Sequence, residues 1–271
     1  MTKDALLYRE DGGVATLTLN RPDKLNAINE EIEDEISRRL GSIKGNDKIR
    51  VVVLNGAGRA FCAGADIGGD ASIGVNDALK WRNAFMRSHE VLMGIMEFPK
   101  PVIASTHGYA LGLGFFYAMA ADMIISTDEC KFGSPEIRHA QSSTGLVPAW
   151  NVGRNIMMEL LLTGDLIDGK KAEAIGLVNR AVPAGLLEKE TYRLARKLAL
   201  IDSQTLGINK ATINSWYGIG KYRESSLFSV DSNTVLNVAD TRKKWDRLFR
   251  EKGLKGFLRE RDEPFRKLDE E

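Results

Sequence analysis

Short apolar runs of two kinds recur along the first half of the chain, and they predict strands. Val14–Asn20 alternates β-branched with small residues, while Val51–Asn55 is apolar throughout, and turn residues bound both runs. A run without a polar face is typical of a strand buried on both sides, as in a parallel sheet. Val102–Ser105 and Met123–Ser126 have the same character. The sequence therefore predicts a core of mainly parallel strands.

Apolar residues at helical spacing predict helices between and after these strands. One set comprises Ile28, Ile32, Ile36, Leu40 and Ile43, and a second comprises Ala78, Trp81, Phe85, Leu92, Ile95 and Met96. Further helices are expected after Gly114 and over Ile156–Leu162, Lys170–Ile175 and Leu186–Leu200. This order predicts an α/β core, residues 1–183, followed by a helical part, residues 184–271, whose apolar pairs on a charged stretch indicate contact with the core or with another subunit.

Composition and charge exclude several classes of protein. The 271 residues include 38 Lys and Arg against 37 Asp and Glu, and a net charge of +1 argues against a nucleic-acid partner. Two cysteines, Cys62 and Cys130, cannot build a disulfide framework, which indicates a reducing compartment. No apolar stretch has the length of a signal peptide or a membrane span. We therefore expect a cytoplasmic protein without a membrane partner.

The common cofactor and metal motifs are missing from the sequence. Gly112 and Gly114 begin a dinucleotide-like pattern, but its third glycine is absent, and no phosphate-binding G-x-x-x-x-G-K-[ST] loop occurs. Ser134 lacks the flanking glycines of a nucleophile elbow. The three histidines do not have metal-ligand spacing, so no metal is expected.

Three segments rich in small residues each follow a predicted strand: Phe61–Ile67 (FCAGADI), His107–Gly114 (HGYALGLG) and Phe132–Ile137 (FGSPEI). Glycine before a helix leaves backbone N–H groups free, and two such turns side by side can form an oxyanion hole. Glu136, among apolar neighbours, can supply a base with a raised pKa. Taken singly, each turn is also typical of tight packing, and Pro-Glu is also typical of a helix start.

Together these segments resemble the crotonase, or enoyl-CoA hydratase/isomerase, superfamily. Asn20–Ala27 (NRPDKLNA) is similar to that family's first coenzyme A segment, and Leu162–Asp165 and Ala172–Asn179 are similar to its later signature. The resemblance covers residues 14–185. It implies a spiral of ββα units with a C-terminal helical portion that packs in homotrimers, often paired into homohexamers. It also implies an acyl-CoA thioester substrate and no cofactor, since coenzyme A is part of that substrate.

The resemblance assigns roles by motif position. The N–H groups of Ala65 and Leu113 would form the oxyanion hole and stabilise a thioester enolate. Glu136 corresponds to the second of the two catalytic glutamates of the hydratases. Backbone groups that would line the coenzyme A path belong to Lys24, Leu25, Ala63, Asp66 and Ile67.

The sequence departs from the family pattern in three places. The first hydratase glutamate would fall on Phe116, which cannot transfer a proton, and the middle glycine of three becomes Leu113. A glycine-rich stretch after the second glutamate is replaced by His139–Trp150, which keeps only Gly145. We expect Phe116 and His139 to contact the substrate. Candidates to replace the missing glutamate are His89, His107, His139, Gln141, Ser142, Ser143, Thr144 and Tyr117.

Three functions are compatible with these residues. A hydratase or hydratase-like lyase that uses Glu136 as its single general acid/base is favoured. An enoyl-CoA double-bond isomerase or a ring-opening C–C hydrolase would use the same enolate. An inactive coenzyme A-binding homologue would have lost turnover through Phe116.

Overall fold

The structure is a computed structural model that describes residues 4–70, 77–142, 152–216 and 218–270. Its strands are β1 (Leu6–Asp11), β2 (Val14–Leu19), β3 (Val51–Gly56), β4 (Val102–Thr106), β5 (Tyr109–Leu111), β6 (Met123–Thr127), β7 (Lys131–Gly133) and β8 (Arg180–Val182). Its helices are α1 (Glu30–Lys44), α2 (Ile67–Asp70), α3 (Ala78–Met96), α4 (Leu113–Ala120), α5 (Arg154–Thr163), α6 (Gly169–Ala174), α7 (Leu187–Ala199), α8 (Ser203–Trp216), α9 (Ile219–Val238) and α10 (Asp240–Asp269).

Six strands form one twisted sheet in the order β1-β2-β3-β4-β6-β8. Only the β1–β2 pair is antiparallel, and the four other pairs are parallel. The predicted parallel core is thereby confirmed. Gly253, with φ 62° and ψ −178°, divides α10 into two helical segments.

Both faces of the sheet are covered by helices. Val52 and Leu54 of β3 pack in the main core with residues of α1, α3 and α4, whereas Val51 and Val53 pack on α7 around Ala195. Successive side chains of a strand point to opposite faces of the sheet. Because both faces are covered, the whole apolar run of β3 is buried, as predicted. Helix α7 thus completes the core, and the division at residue 183 stays a prediction.

Capping side chains mark where two of the helices begin. The side chain of Asn29 accepts the N–H of Ile32 and caps α1, and that of Asp77 accepts the N–H of Lys80 and caps α3. Ile28, which the periodicity places in the first helix, lies before it and pairs with a neighbouring loop instead. In the part of the chain that the structure describes, no helix is long and apolar enough to cross a membrane.

Candidate active site

Three extended segments lie side by side next to the main sheet. Cys62 forms a parallel bridge with Ala110, and its N–H donates to the carbonyl of Tyr109 at 2.8 Å. Strand β5 in turn pairs in parallel with β7. Because all three segments run in one direction, the residues that follow them meet at a single edge. The structure therefore brings together the predicted oxyanion donors Ala65 and Leu113 with the turn that carries Glu136.

The backbone at Ala65 is turned so that its N–H faces away from its paired neighbour. Ile28 donates to the carbonyl of Gly64 and accepts from the N–H of Asp66, both at 2.8 Å, so it bonds the residues on either side of Ala65. Leu113 is the first residue of α4, where an N–H has no partner within the helix. Neither N–H donates to a backbone oxygen of the described residues. Both are available for a ligand oxygen.

Two glycines allow the parts of this site to approach each other. A Cβ on Gly112, whose φ is +51°, would overlap the carboxyl group of Glu136. A Cβ on Gly114 would lie 2.6 Å from both Cβ and Sγ of Cys62. Side chains at either position would push Glu136 or the start of α4 away from the edge. Close contact with the Glu136 carboxyl group therefore requires glycine at position 112, and close contact with Cys62 requires it at position 114.

Glu136 lies in the first turn of a 3₁₀ helix, Pro135–His139, and its side chain is partly buried. Its pKa is raised, mainly because burial disfavours the charged form. Its own backbone N–H, the hydroxyl of Ser134 and the charge of Arg261 act in the opposite direction. The Ser134 hydroxyl donates to Oε2 at 2.8 Å. The site thus combines two free N–H donors with one carboxyl group suited to accept and return a proton.

A family model described as Enoyl-CoA hydratase/isomerase matches residues 9–267. The chain belongs to the enoyl-CoA hydratase/isomerase family. It is similar to a probable enoyl-CoA hydratase of Mycobacterium tuberculosis, at 32% identity over 79% of this chain and 82% of that protein. It is also similar to the 1,2-epoxyphenylacetyl-CoA isomerase of Escherichia coli, at 30% identity over 96% of this chain and 97% of that protein.

A solved structure of an enoyl-CoA hydratase/isomerase from Xanthobacter autotrophicus Py2 superimposes with a TM-score of 0.92. It is 27% identical and covers 97% of this chain and 99% of that chain. The crotonase-like α/β fold with C-terminal helices is therefore confirmed, and the chain is an enoyl-CoA hydratase/isomerase-like enzyme.

Phe116 and Leu113, which were expected to stand where the family has a glutamate and a glycine, are both buried. Phe116 is 2% exposed and packs in the main core at 5.4 Å from the ring of Phe115. The side chain of Leu113 is accommodated in the same core, which leaves its N–H in place. Helix α4 therefore presents the expected oxyanion donor but no carboxylate at this position. That Phe116 contacts the substrate stays a prediction.

The loop predicted to bind coenzyme A is joined by a hydrogen bond and an ion pair to the segment that carries Ala65. The N–H of Ala63 donates to the carbonyl of Leu25 at 3.0 Å, and Arg21 forms an ion pair of 2.7 Å with Asp66. Lys24 is exposed at the end of this loop. Four of the predicted positions therefore adjoin one another, and Ile67 begins α2 directly after them.

His139 lies in an aromatic cluster with two residues of α10. Its ring is 5.2 Å from that of Phe257 and 6.4 Å from that of Trp245. Burial, together with the charges of Arg242 and Arg261, lowers the pKa of His139 to about 3, so the ring is neutral. Its Nε2 is 3.2 Å from Oε1 of Gln141.

The other candidate replacements for the missing glutamate have structural partners. His89 bonds Ser226, the ring of His107 contacts the carbonyl of Gly58, and the N–H of Ser142 donates to Asn233. Ser143, Thr144 and the remainder of the stretch to Trp150 lie outside the described residues. Among the described residues, no group of three His, Cys, Asp or Glu side chains is placed to hold a metal ion.

A buried carboxylate that contacts α4 was not predicted from the sequence. Glu33 of α1 accepts hydrogen bonds from the hydroxyls of Tyr117 and Ser88, and burial raises its pKa. Glu33 lies three residues before Ile36 and seven before Leu40, so its spacing places it on the apolar face. A charged residue on an otherwise apolar helix face is the feature of the sequence that could have indicated this buried carboxylate.

Proposed function

We propose that this enzyme converts an acyl-CoA thioester through an enolate, with Glu136 as the single general acid/base. The thioester oxygen is bound by the N–H groups of Ala65 and Leu113. Lys24, Leu25, Ala63, Asp66 and Ile67 line the coenzyme A path. The observation that carries the proposal is the placement of the Glu136 carboxyl group against Gly112, the residue directly before one oxyanion donor.

Each part of this arrangement has a defined chemical task. Removing a proton from C2 of a thioester places negative charge on the carbonyl oxygen, and two preorganised N–H donors stabilise that charge. The loss of one such donor typically costs about 3–4 kcal/mol of transition-state stabilisation. A carboxylate with a raised pKa is a stronger base than that of an ordinary glutamate, so it removes the proton from carbon more readily. Its protonated form can then return the proton to carbon.

Hydration of an enoyl-CoA is the first candidate reaction. Glu136 would take a proton from a water molecule while the oxygen of that water adds to C3. Glu136 would then deliver a proton to C2, which gives a 3-hydroxyacyl-CoA. The names of relatives support this reaction, since the Mycobacterium tuberculosis protein is a probable hydratase and a Clostridium acetobutylicum relative is a short-chain-enoyl-CoA hydratase.

Double-bond isomerisation is the second candidate, and the buried Phe116 favours it. One carboxylate is enough to move a proton from C2 to C4 of the same substrate, because no water has to be activated. The Escherichia coli relative, which aligns over nearly the whole chain, is named 1,2-epoxyphenylacetyl-CoA isomerase, so it rearranges an epoxide rather than a double bond but likewise without adding water.

Product analysis in heavy-oxygen water separates these candidates. The enzyme would be incubated with 2-enoyl-CoA and 3-enoyl-CoA substrates, and the products weighed by mass spectrometry. Hydration adds one labelled oxygen, while isomerisation adds none and leaves the mass unchanged. Ring-opening hydrolysis would add oxygen and break a C–C bond of a cyclic substrate. No turnover of any acyl-CoA, together with tight binding, would contradict the proposal and indicate an inactive binding protein.

A further inference from the structure

Two consecutive residues of the loop between β2 and α1 have a backbone conformation that residues with side chains rarely adopt. The φ angles of Leu25 and Asn26 are 50° and 57°. In this left-handed region the Cβ atom comes too close to the following carbonyl oxygen. Asparagine occurs there more often than most residues, whereas a bulky residue such as leucine is held there only by its surroundings. The contacts of this loop therefore show what maintains the strained conformation.

The side chain of Asn26 joins the loop to the segment that follows β3. It is fully buried, with 0% exposure. Its Nδ2 donates to the carbonyls of Ala57 and Ala60 at 2.8 and 2.7 Å, and its Oδ1 accepts the backbone N–H of Arg21 at 2.9 Å. Both amide hydrogens and the amide oxygen are thus bonded, and all three partners are backbone groups. These bonds fix the position of the loop.

The strained turn directs a backbone carbonyl toward the segment that carries Ala65. The carbonyl of Leu25 accepts the N–H of Ala63 at 3.0 Å, and the N–H of Asn26 donates to the carbonyl of Arg21 at 2.9 Å. A change to the right-handed conformation at these two residues would rotate the Leu25 carbonyl away from Ala63. The strained conformation and this contact therefore depend on each other, and the bonds of the Asn26 side chain support both.

The backbone on either side of Ala65 keeps hydrogen bonds that do not involve Asn26. The N–H of Ile28 donates to the carbonyl of Gly64, and the carbonyl of Ile28 accepts the N–H of Asp66, both at 2.8 Å. The position of the proposed oxyanion donor is thus maintained by other contacts. The part of the site whose position depends most on Asn26 is the loop itself.

The outer edge of this loop carries an exposed cation beside a partly exposed apolar side chain, Lys24 and Leu25. Lysine binds phosphate as a point charge, while leucine contacts apolar groups. Coenzyme A has phosphates and apolar groups together. A ligand of this kind therefore fits the two side chains that the strained turn presents.

We propose that Asn26 is a positioning residue for coenzyme A, whose three side-chain hydrogen bonds hold Lys24 and Leu25 where they contact the non-reacting part of an acyl-CoA. This inference rests on the proposed function, which places coenzyme A along this loop. Remote parts of a substrate contribute more binding energy when the groups that contact them are held in place before binding. Loss of the Asn26 amide should therefore weaken recognition of coenzyme A and leave the chemistry at C2 unchanged.

Deuterium exchange at C2 of two thioesters in heavy water separates these effects. The probes are butyryl-CoA and butyryl-N-acetylcysteamine, which has the same acyl group and thioester but lacks the nucleotide and most of the pantetheine arm. For the wild type, kcat/KM should be at least about tenfold higher with butyryl-CoA. Asn26→Ala should lower kcat/KM for butyryl-CoA about tenfold or more, mainly through KM, and change that for the truncated thioester less than about threefold.

A second variant and a matched control accompany this test. Asn26→Gly serves should the alanine variant not fold, because glycine adopts a left-handed φ without strain yet lacks the amide. It should show the same selective loss. Asn214→Ala removes an amide that donates to the carbonyl of Met96 at 3.1 Å and joins α8 to α3. This control should leave the kinetics of both thioesters unchanged.

The outcomes distinguish failure of the inference from failure of the proposed function. A loss of equal size for both thioesters, or wild-type kinetics in both Asn26 variants, would overturn the inference alone. Equal kcat/KM for the two thioesters in the wild type would overturn it together with the proposed path of coenzyme A. Absence of exchange with either thioester would contradict the proposed enolate chemistry itself.

Discussion

Opposing interactions act on the protonation of the Glu136 carboxyl group, and the largest of them, burial, favours the protonated form. Burial raises the pKa, while hydrogen bonds from its own N–H and from Ser134 stabilise the carboxylate. A group balanced in this way can act first as base and then as acid in one catalytic cycle. The oxyanion donors need no such balance, since a backbone N–H has one protonation state.

Deleting one oxyanion donor tests the assignment of Ala65. Ala65→Pro removes the N–H, and we expect kcat/KM to fall by about a hundredfold or more. Ala65→Gly is the matched control, because it keeps the N–H and should stay within about tenfold of the wild type. Circular dichroism must show that the proline variant is folded. Equal kinetics in a folded proline variant would place the oxyanion hole elsewhere.

The buried ring of His139 predicts a loss of stability in acid. Its pKa is lowered to about 3 in the folded protein from an ordinary value of 6.5, so between these values only the unfolded chain binds the proton. Acidification through this window therefore lowers the free energy of unfolding, by up to about 1.4 kcal/mol per pH unit. His139→Gln should show a shallower decline in urea unfolding between pH 7 and pH 4.5. Parallel curves for both proteins would contradict the prediction.

At the scale of elements, the position of α4 decides whether the N–H of Leu113 lies beside that of Ala65, as the proposed oxyanion hole requires. Gly114→Ala would bring a Cβ within 2.6 Å of Cys62, so the start of the helix must shift. We expect kcat/KM to fall about tenfold or more and stability to fall by about 1–3 kcal/mol.

The matched control is Gly94→Ala in α3, where the nearest atom to a new Cβ is 4.0 Å away. This variant should keep wild-type kinetics and gain up to about 1 kcal/mol from helix propensity. Enzyme assays and urea unfolding measure both effects. If Gly114→Ala behaved like Gly94→Ala, the close contact between α4 and the Cys62 segment would not matter for activity.

Elements with a strong period could be predicted from the sequence, and those held by tertiary contacts could not. The helix with Trp81 and Phe85 was predicted because its apolar residues recur at helical spacing. Strands β5, β7 and β8 were not predicted, since each has only three residues and is defined by its partners. Strand β1 was not predicted either, because it is an edge strand with mostly exposed side chains.

The residues of the candidate site likewise divide into those with a local sequence signal and those brought together only by tertiary contacts. The three segments that carry Ala65, Leu113 and Glu136 could be selected because small residues follow each predicted strand, while the roles of these residues, which the family resemblance implies, stay predictions. Arg261, whose charge lowers the pKa of Glu136, could not be identified, since it comes from α10, more than a hundred residues further along the chain. Only the packing of α10 on the Glu136 turn brings it close.

At the scale of the whole molecule, the exposed apolar side chains predict self-association. Ile208, Ile213 and Trp216 of α8 are exposed, as are Phe228 and Val235 of α9. Apolar residues concentrated on neighbouring helices are typical of an interface. We propose a homotrimer or homohexamer, and light scattering should give three or six times the mass of one chain. Trp216→Asp together with Phe228→Asp should shift the mass toward the monomer. A monomeric wild type would contradict the proposal.

The proposed function requires that Glu136 moves a proton at C2 of a thioester held by Ala65 and Leu113. Deuterium exchange at C2 of a bound acyl-CoA in heavy water measures this step directly. We predict exchange by the wild type and a rate at least about a hundredfold lower in Glu136→Gln, with acyl-CoA affinity within about tenfold. Undiminished exchange in Glu136→Gln would contradict the account.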